Sequence, residues 1–226
     1  MKAIVFDSGT LIGFSMNGLL DELRELKKIF KGKFLITRDV KREIVDKPLT
    51  IKRFELEALR IKQLLEEKVL EMPESVGVNE GEISEKTQEF LNVANNMFVS
   101  NKENIHLIDS GEASCLALSR ILIDKKIENV IAVDERTTRM LGENPEALAK
   151  LMSSKLHTKI LIKKESFRFF KGFRFVRSTE LIYVAYKKGI MKIKDGNLVL
   201  DALLYALKLR GAAISDDEIK EIKRLG

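Results

Sequence analysis

The sequence predicts an α/β fold built on a mostly parallel sheet. Short apolar segments alternate with segments of helical periodicity along the chain, which is typical of parallel strands joined by helices. The run VIAV and, after Lys2, the run KAIVF are apolar, as expected of central strands that are covered on both faces. With 226 residues, of which 45% are hydrophobic, the chain is long enough to enclose a full core.

Strands are predicted where short apolar or alternating runs end at turn residues. The predicted strands are residues 2–6, 33–37, 105–108, 128–133, 159–164 and 167–176. The last of them, FRFFKGFRFV, is interpreted as a strand or as a hairpin around Lys171-Gly172.

Helices are predicted where apolar residues recur every three or four positions. Thr37 is a candidate N-cap, and Ser215-x-x-Glu218 has the pattern of a capping box. The stretch MPESVGVNEG is predicted to be a linker between two helices. The predicted helices are residues 16–30, 38–46, 50–67, 82–99, 110–124, 145–156, 179–188, 197–210 and 215–224.

Charge and cysteine content narrow the class of protein. The net charge is +6, and the excess of basic over acidic residues lies between Lys159 and Lys194. Such a basic segment indicates either a nucleic-acid partner or a solvated lysine-rich surface. The single cysteine, Cys115, excludes an intramolecular disulfide and a multi-cysteine zinc site, and its apolar surroundings predict a buried, unreactive thiol. No signal-peptide pattern or membrane-length apolar run is present. A soluble, cytoplasmic protein without membrane contact is expected.

Acidic residues follow both of the predicted central strands. Asp7 comes directly after KAIVF, and Asp134 comes directly after VIAV. Because reactive groups of open parallel sheets gather beyond the carboxyl ends of the strands, these side chains can converge. The alternative is that each aspartate only caps a helix or a turn.

Two further acids lie on predicted helices. Glu112 is in the first turn of an apolar and therefore buried helix, where Asp109 and Glu112 also match a capping box. Glu43 borders the buried face of its helix, although an ordinary surface position explains it as well. Clustered carboxylates repel one another unless a cation lies among them, and oxygen ligands favour Mg²⁺ or Mn²⁺. The two histidines, His106 and His157, are interpreted as structural, so hydrolysis would depend on water activated by the metal.

Several segments together resemble the PIN-domain nuclease family. The opening IVFDSGTLI, then VKREIV, LIDSGEASCLALSR and VIAVDERTTRML, carry four acids in the order and context of that family. The segments RSTELIYVAYKKGIMK and GAAISDDEIKEI are similar to its last strand and helices. The resemblance implies a three-layer α/β/α fold, a divalent-metal site and cleavage of single-stranded RNA. It assigns catalysis to Asp7, Glu43, Glu112 and Asp134.

The resemblance also implies finer assignments and shows departures. Asp7, Glu112 and Asp134 would bind the metal, Asp109 is an alternative third acid, and Thr10 would be accessory. The chain is long for the family, so residues 50–104 and 141–170 are interpreted as helical and β insertions within a single domain. No cysteine-rich zinc ribbon is present.

RNA contacts are predicted from basic residues near aromatic residues and near the acids. Aromatic rings can stack on bases while basic groups hold phosphates, but the phenylalanines of FRFFKGFRFV are better explained as core. Arg136 and Arg139 could hold the RNA backbone or form ion pairs with the acids. The predicted RNA-binding residues are Arg136, Arg139, Arg168, Lys171, Arg174 and Arg177.

The same residues are also compatible with other functions. One is a non-catalytic RNA-binding or interaction module on the same fold. Another is a haloacid-dehalogenase-like phosphatase, which FDSGTLI resembles, although the spacing is one residue short and the second aspartate is missing. A nuclease could be a toxin held by a protein antitoxin or an RNA-processing enzyme with a ribonucleoprotein partner. Association as a homodimer is also left open.

Overall fold

The computed structural model describes residues 1–225 and has a parallel four-stranded sheet at its centre. Helices cover the sheet on both faces, which gives the predicted three-layer α/β/α fold. The strands are β1 (Lys2–Phe6), β2 (Lys33–Leu35), β3 (Phe98–Ser100), β4 (Glu103–Asn104), β5 (Glu128–Ala132), β6 (Leu161–Ile162) and β7 (Phe175–Val176).

The strand order of the main sheet is β2-β1-β5-β7, and all three pairings are parallel. In the central pair, Phe6 is opposite Ala132, and the amide of Asp7 still donates to the carbonyl of Ala132 at 2.9 Å. Asp7 and Asp134 therefore leave the sheet at the same edge, as the sequence predicted. Residues 3–6 of β1 are buried because helices cover this strand on both faces.

Helices account for most of the remaining chain. They are α1 (Ser8–Met16), α2 (Leu20–Phe30), α3 (Arg38–Lys41), α4 (Glu55–Glu66), α5 (Glu80–Asn95), α6 (Ser110–Asp124), α7 (Arg136–Glu143), α8 (Pro145–Leu156), α9 (Ser178–Lys187), α10 (Gly196–Leu209) and α11 (Asp216–Leu225). Helix α6 packs on β1 and β5, while α1, α2 and α9 pack on one another. Among residues 1–225, none of these helices combines the length and apolar character needed to cross a membrane.

The helix predicted over residues 16–30 is observed as α2 over Leu20–Phe30, but the prediction missed a separate helix before it. The helix that follows β1 begins already at Ser8, and a turn at Gly18 separates it from α2. Gly18 has φ +69°, a left-handed conformation in which glycine avoids the steric cost of a side chain. Helix α1 was missed because its periodicity is weak: it is apolar around most of its circumference. Helix α7 was not predicted either.

The strand or hairpin predicted over residues 167–176 was wrong. A 3₁₀ helix spans Lys164–Phe170, and only Phe175 and Val176 form a strand. Phe170 and Phe173 are buried, so the interpretation of these rings as core is confirmed. Residues 105–108 are not a strand; the side chain of Asn95 holds this segment by accepting from the amides of Leu107 and Ile108.

A second, antiparallel sheet joins the two regions that were interpreted as insertions. Its order is β4-β3-β6, with Phe98 opposite Ile162. Met97, Phe98 and Ala94 are buried there and belong to the same hydrophobic cluster as the central strands. The two regions therefore pack together and against the main core.

Candidate active site

Asp7 lies at the end of β1 and forms the N-cap of α1. Its Oδ2 accepts from the amide of Gly9 at 3.1 Å, which satisfies one of the free donors of the helix. Its Oδ1 is buried and has no hydrogen-bond partner among residues 1–225. The side chain is 4% exposed, and burial together with the nearby charges of Glu112 and Glu43 raises its pKa from 3.8 to about 7. Among residues 1–225, no positively charged group pairs with the carboxyl group of Asp7.

Asp134 lies at the end of β5 and connects three elements. Its Oδ1 accepts from the amide of Ser178, the first residue of α9, at 2.8 Å. A methyl group added at Gly13 of α1 would lie 3.7 Å from Oδ2, so α1 passes close to this carboxylate. Because Asp134 is only 4% exposed, burial raises its pKa, and the hydrogen bond from the Ser178 amide partly opposes this shift.

Glu43 reaches the same region from a π-helical turn. The turn, Arg42–Asp46, continues directly from α3, and single π-turns are frequent at functional sites. A methyl group at Gly111 would lie only 2.7 Å from Oε1 of Glu43, so the carboxylate rests against the backbone of the first turn of α6. The N-terminus of a helix favours a negative charge. Because Gly111 has no side chain, it leaves the space that the carboxylate of Glu43 occupies.

Glu112 is in the first turn of α6 and follows Gly111, the residue against which Glu43 rests. Its Oε2 accepts from the amide of Asp109 at 2.9 Å, which confirms that Glu112 belongs to a capping box. Its Oε1 accepts from the hydroxyl of Thr138 on α7 at 2.9 Å. Burial raises the pKa of Glu112. Glu112 thus combines a capping role with a position among the acids.

Asp109 points away from the other acids. Its side chain is 81% exposed, and its Oδ1 contacts Nε2 of His106 at 2.7 Å. His106 is itself exposed, which corrects the interpretation of it as a residue inside a strand. Of the two candidates for the third acid, the geometry favours Glu112.

The four acids lie near this edge of the sheet but do not form one compact cluster among residues 1–225. Asp7 responds electrostatically to Glu112 and Glu43, while Asp134 lies on the same sheet edge beside α1. Thr10, the predicted accessory residue, is fully buried, and its hydroxyl has no partner among residues 1–225. Cys115 is buried as predicted, and burial and the charge of Asp7 raise its pKa well above the usual range.

The side chains are not arranged as a closed metal site. Among residues 1–225, no three His, Cys, Asp or Glu side chains are grouped so that they could hold a metal ion. The donor set is nevertheless chemically suited to Mg²⁺ or Mn²⁺, since every candidate ligand atom is a carboxylate oxygen. The buried, unpartnered Oδ1 of Asp7 is the atom that a cation would satisfy most directly. Cation binding would require the acids to move closer together.

Comparisons with known proteins add no family to this geometry. No family model and no curated protein matches the sequence, and no solved structure matches the fold. The resemblance to PIN-domain nucleases rests on the motifs of this chain alone.

The predicted RNA-binding residues fall into separate groups. Arg136 and Arg139 are on α7, directly after Asp134. Arg177 is 7% exposed and donates to Glu180 at 2.7 Å, to Glu218 at 2.7 Å and to the carbonyl of Ala213 at 3.2 Å. Because its donors are used internally, its prediction as an RNA contact is corrected: Arg177 joins α9 to α11.

The other three predicted RNA-binding residues lie between β6 and β7. Arg174 reaches Glu128, the first residue of β5, at 3.4 Å. Glu128 and Asp134 are separated by six positions, which is roughly 20 Å along a strand. Arg174 therefore lies at the opposite end of β5 from Asp134. Arg168 and Lys171 are exposed on and directly after the 3₁₀ helix, where Arg168 stacks on Phe169 at 5.7 Å from its centroid.

Sequence reasoning missed the residues that position the acids. Thr138 holds Glu112, the amide of Ser178 holds Asp134, and Gly111 makes space for Glu43. The only local signal was the Gly111-Glu112 pair in SGEAS, since a glycine at a helix start can indicate a close approach. The contacts of Thr138 and Ser178 join residues that are 26 and 44 positions apart, so no local pattern contains them.

Proposed function

We propose that this protein is a divalent-metal-dependent endoribonuclease that hydrolyses phosphodiester bonds of single-stranded RNA. One observation carries the proposal: neighbouring parallel strands deliver Asp7 and Asp134 to one sheet edge, where the charges of Glu112 and Glu43 act on Asp7. Buried carboxylates with raised pKa values are costly to keep together, and such arrangements concentrate at functional sites. The order of the acids in PIN-like motifs supports the same function.

The four acids divide the work of such a site. Asp7, Glu112 and Asp134 would hold Mg²⁺ or Mn²⁺, with Glu43 contributing negative charge from the helix start. When bound, the cation would supply positive charge to the phosphate and make water more acidic. The protein excludes solvent around Asp7 and Asp134, which strengthens their interactions with any cation. Thr138 and the amide of Asp109 keep Glu112 in place.

The direct test is cleavage of a labelled single-stranded RNA in Mn²⁺ by wild type and four isosteric variants. Asp7→Asn, Glu43→Gln, Glu112→Gln and Asp134→Asn are each expected to lower the rate at least 100-fold while the thermal transition persists. Asp124→Asn, which alters an exposed acid at the other end of α6, is the matched control. Cleavage by Asp7→Asn at the wild-type rate would remove the mechanism.

A second candidate is an RNA-binding module without catalysis. The observation that favours it is the absence, within residues 1–225, of a closed group of metal-binding side chains. Calorimetric titration with Mn²⁺ separates the two functions. The nuclease requires Mn²⁺ binding that Asp7→Asn weakens, whereas no binding at millimolar Mn²⁺ together with intact RNA binding supports the module. Mg²⁺-dependent turnover of an aryl phosphate that Asp7→Asn abolishes would favour a phosphatase instead.

A separate experiment tests the role of the protein in the cell. We further propose a cytoplasmic location and one of two roles: a toxin paired with a protein antitoxin, or an RNA-processing enzyme acting with a ribonucleoprotein. Expression of the wild type should arrest growth if it is a toxin, and Asp7→Asn should relieve the arrest. Normal growth at high expression favours processing.

A further inference from the structure

A cavity of about 410 Å³ lies next to Asp134, on the side of α7 and of the loop that joins α10 to α11. It is built where the loop returns to the sheet edge: the amide of Ala213 donates to the carbonyl of Asp134 at 3.1 Å. Its polar lining combines arginines, a lysine, a serine and a glutamate, namely Arg136, Arg139, Lys208, Ser215 and Glu218.

Two arginines of this lining have no internal partner. The guanidinium groups of Arg136 and Arg139 form no hydrogen bond and no ion pair with any residue between Met1 and Leu225. Nε of Arg139 is buried, and burial followed by the charge of Arg177 lowers the pKa of Arg139. A buried N–H without an acceptor is unfavourable, so the Nε of Arg139 favours an acceptor supplied by a ligand, while Arg136 is exposed beside it. The cavity therefore has unused capacity to bind an anion.

The remaining charges of the cavity are already neutralised. Lys208 pairs with Asp216 at 2.6 Å. Glu218 accepts from Arg177 at 2.7 Å and from the hydroxyl of Ser215 at 2.9 Å, so its negative charge faces partners of its own. Other acids near Arg139, which are Glu143 and Glu180, act on it only at longer range. The positive charge that remains available belongs to Arg136 and Arg139.

Helix α7 links this cavity to the acidic edge. Thr138, between the two arginines, donates to Glu112 at 2.9 Å, while Arg139 faces the cavity and its charge acts on Asp134. One short helix thus carries a residue that positions a proposed catalytic acid and the two free cations. A ligand held by these arginines would therefore lie next to the helix that positions Glu112.

We propose that the cavity is a phosphate-binding site for a nucleotide that adjoins the proposed cleavage site. Arginine forks bind phosphate oxygens in pairs, and a cavity of this size accepts a phosphate with an attached sugar or base. The phosphate could be the terminal monoester of an RNA or an internal diester; both present the same oxygens to the guanidinium groups. Phosphate binding is independent of the proposed nuclease function, whereas the assignment to RNA rests on it.

The first experiment measures binding of inorganic phosphate by calorimetry in EDTA, with Asp7→Asn as the background so that no cleavage can occur. Arg139→Gln is expected to weaken phosphate binding at least tenfold, and Arg139→Lys, which keeps the charge but loses the fork, less than Arg139→Gln. Arg174→Gln removes an arginine at the opposite end of the sheet and should change the affinity less than twofold. Equal phosphate affinity in Arg139→Gln and the background protein would overturn the proposal.

The second experiment uses short single-stranded RNAs with and without a 5′- or 3′-terminal phosphate, in the same metal-free protein. Displacement of inorganic phosphate by RNA, together with weaker RNA binding by Arg139→Gln, supports the site. Tighter binding of an RNA with one phosphorylated end identifies a terminal monoester as the ligand. Equal binding of RNAs with and without terminal phosphates identifies an internal diester. Phosphate binding that RNA does not compete with overturns the assignment to RNA. Because binding is measured without metal, loss of nuclease activity in the parent protein does not affect this result. Thermal transitions of all variants control for folding.

Discussion

Asp7→Asn should stabilise the metal-free protein, by an amount that grows with pH. The substitution keeps the shape of the side chain, and asparagine is as good an N-cap as aspartate. It removes a carboxyl group whose pKa is raised from 3.8 to about 7 in the folded protein. In wild type, the folded state holds a proton at this site between those two pH values while the unfolded state has lost it. Stability therefore falls as pH rises through this window and is lowest above about pH 7.

The magnitude follows from the size of the shift. A difference of about 3 pKa units corresponds to about 4 kcal/mol at pH values above both pKa values. At pH 5 roughly 2 kcal/mol of this cost is already present, so the advantage of Asp7→Asn should grow by about 3 kcal/mol between pH 5 and pH 8. For a chain of this length, such a change moves the melting temperature by roughly 6–12 °C.

The assay is denaturant unfolding of both proteins in EDTA at pH 5, 6, 7 and 8. Asp124→Asn again serves as the control, because it makes the same chemical change at an exposed carboxylate at the other end of α6. A constant difference between wild type and Asp7→Asn across the series would refute the raised pKa of Asp7. Lower stability of Asp7→Asn at pH 8 would refute the electrostatic conflict itself.

Two further outcomes test the positioning of the acids and the basic surface. Gly111→Ala should lower RNA cleavage at least tenfold, because the added methyl group displaces the carboxylate of Glu43. The free energy of unfolding should change by at most about 1 kcal/mol. Unchanged cleavage would mean that the position of Glu43 is unimportant. Replacing Arg168 and Arg174 together by Gln should reduce the salt dependence of RNA binding by about two units of slope if both contact phosphates. An unchanged slope would restrict RNA contacts to the edge that carries α7.

Local patterns were sufficient for the elements that a continuous stretch of sequence specifies. The apolar runs that became β1 and β5 were recognisable because a strand buried on both faces needs no polar position, and α6 was recognisable by its apolar surface and its capping box. The shared edge of Asp7 and Asp134 followed from parallel pairing alone. Patterns failed at residues 167–176, where alternating Phe and basic residues resemble a strand but form the end of a 3₁₀ helix, a turn and a two-residue strand packed on the core.

Sequence by itself determined the α/β class, the buried central strands and the acids at their ends, because these depend on periodicity and on neighbours along the chain. Tertiary structure alone decided that Glu43 rests against Gly111, that Asp109 turns outward, that Arg177 is used internally and that Arg139 is left without a partner. Each of these outcomes depends on which distant segment supplies the neighbouring atom. Burial and charge pairing are properties of that neighbour, so they are not encoded at the residue's own position.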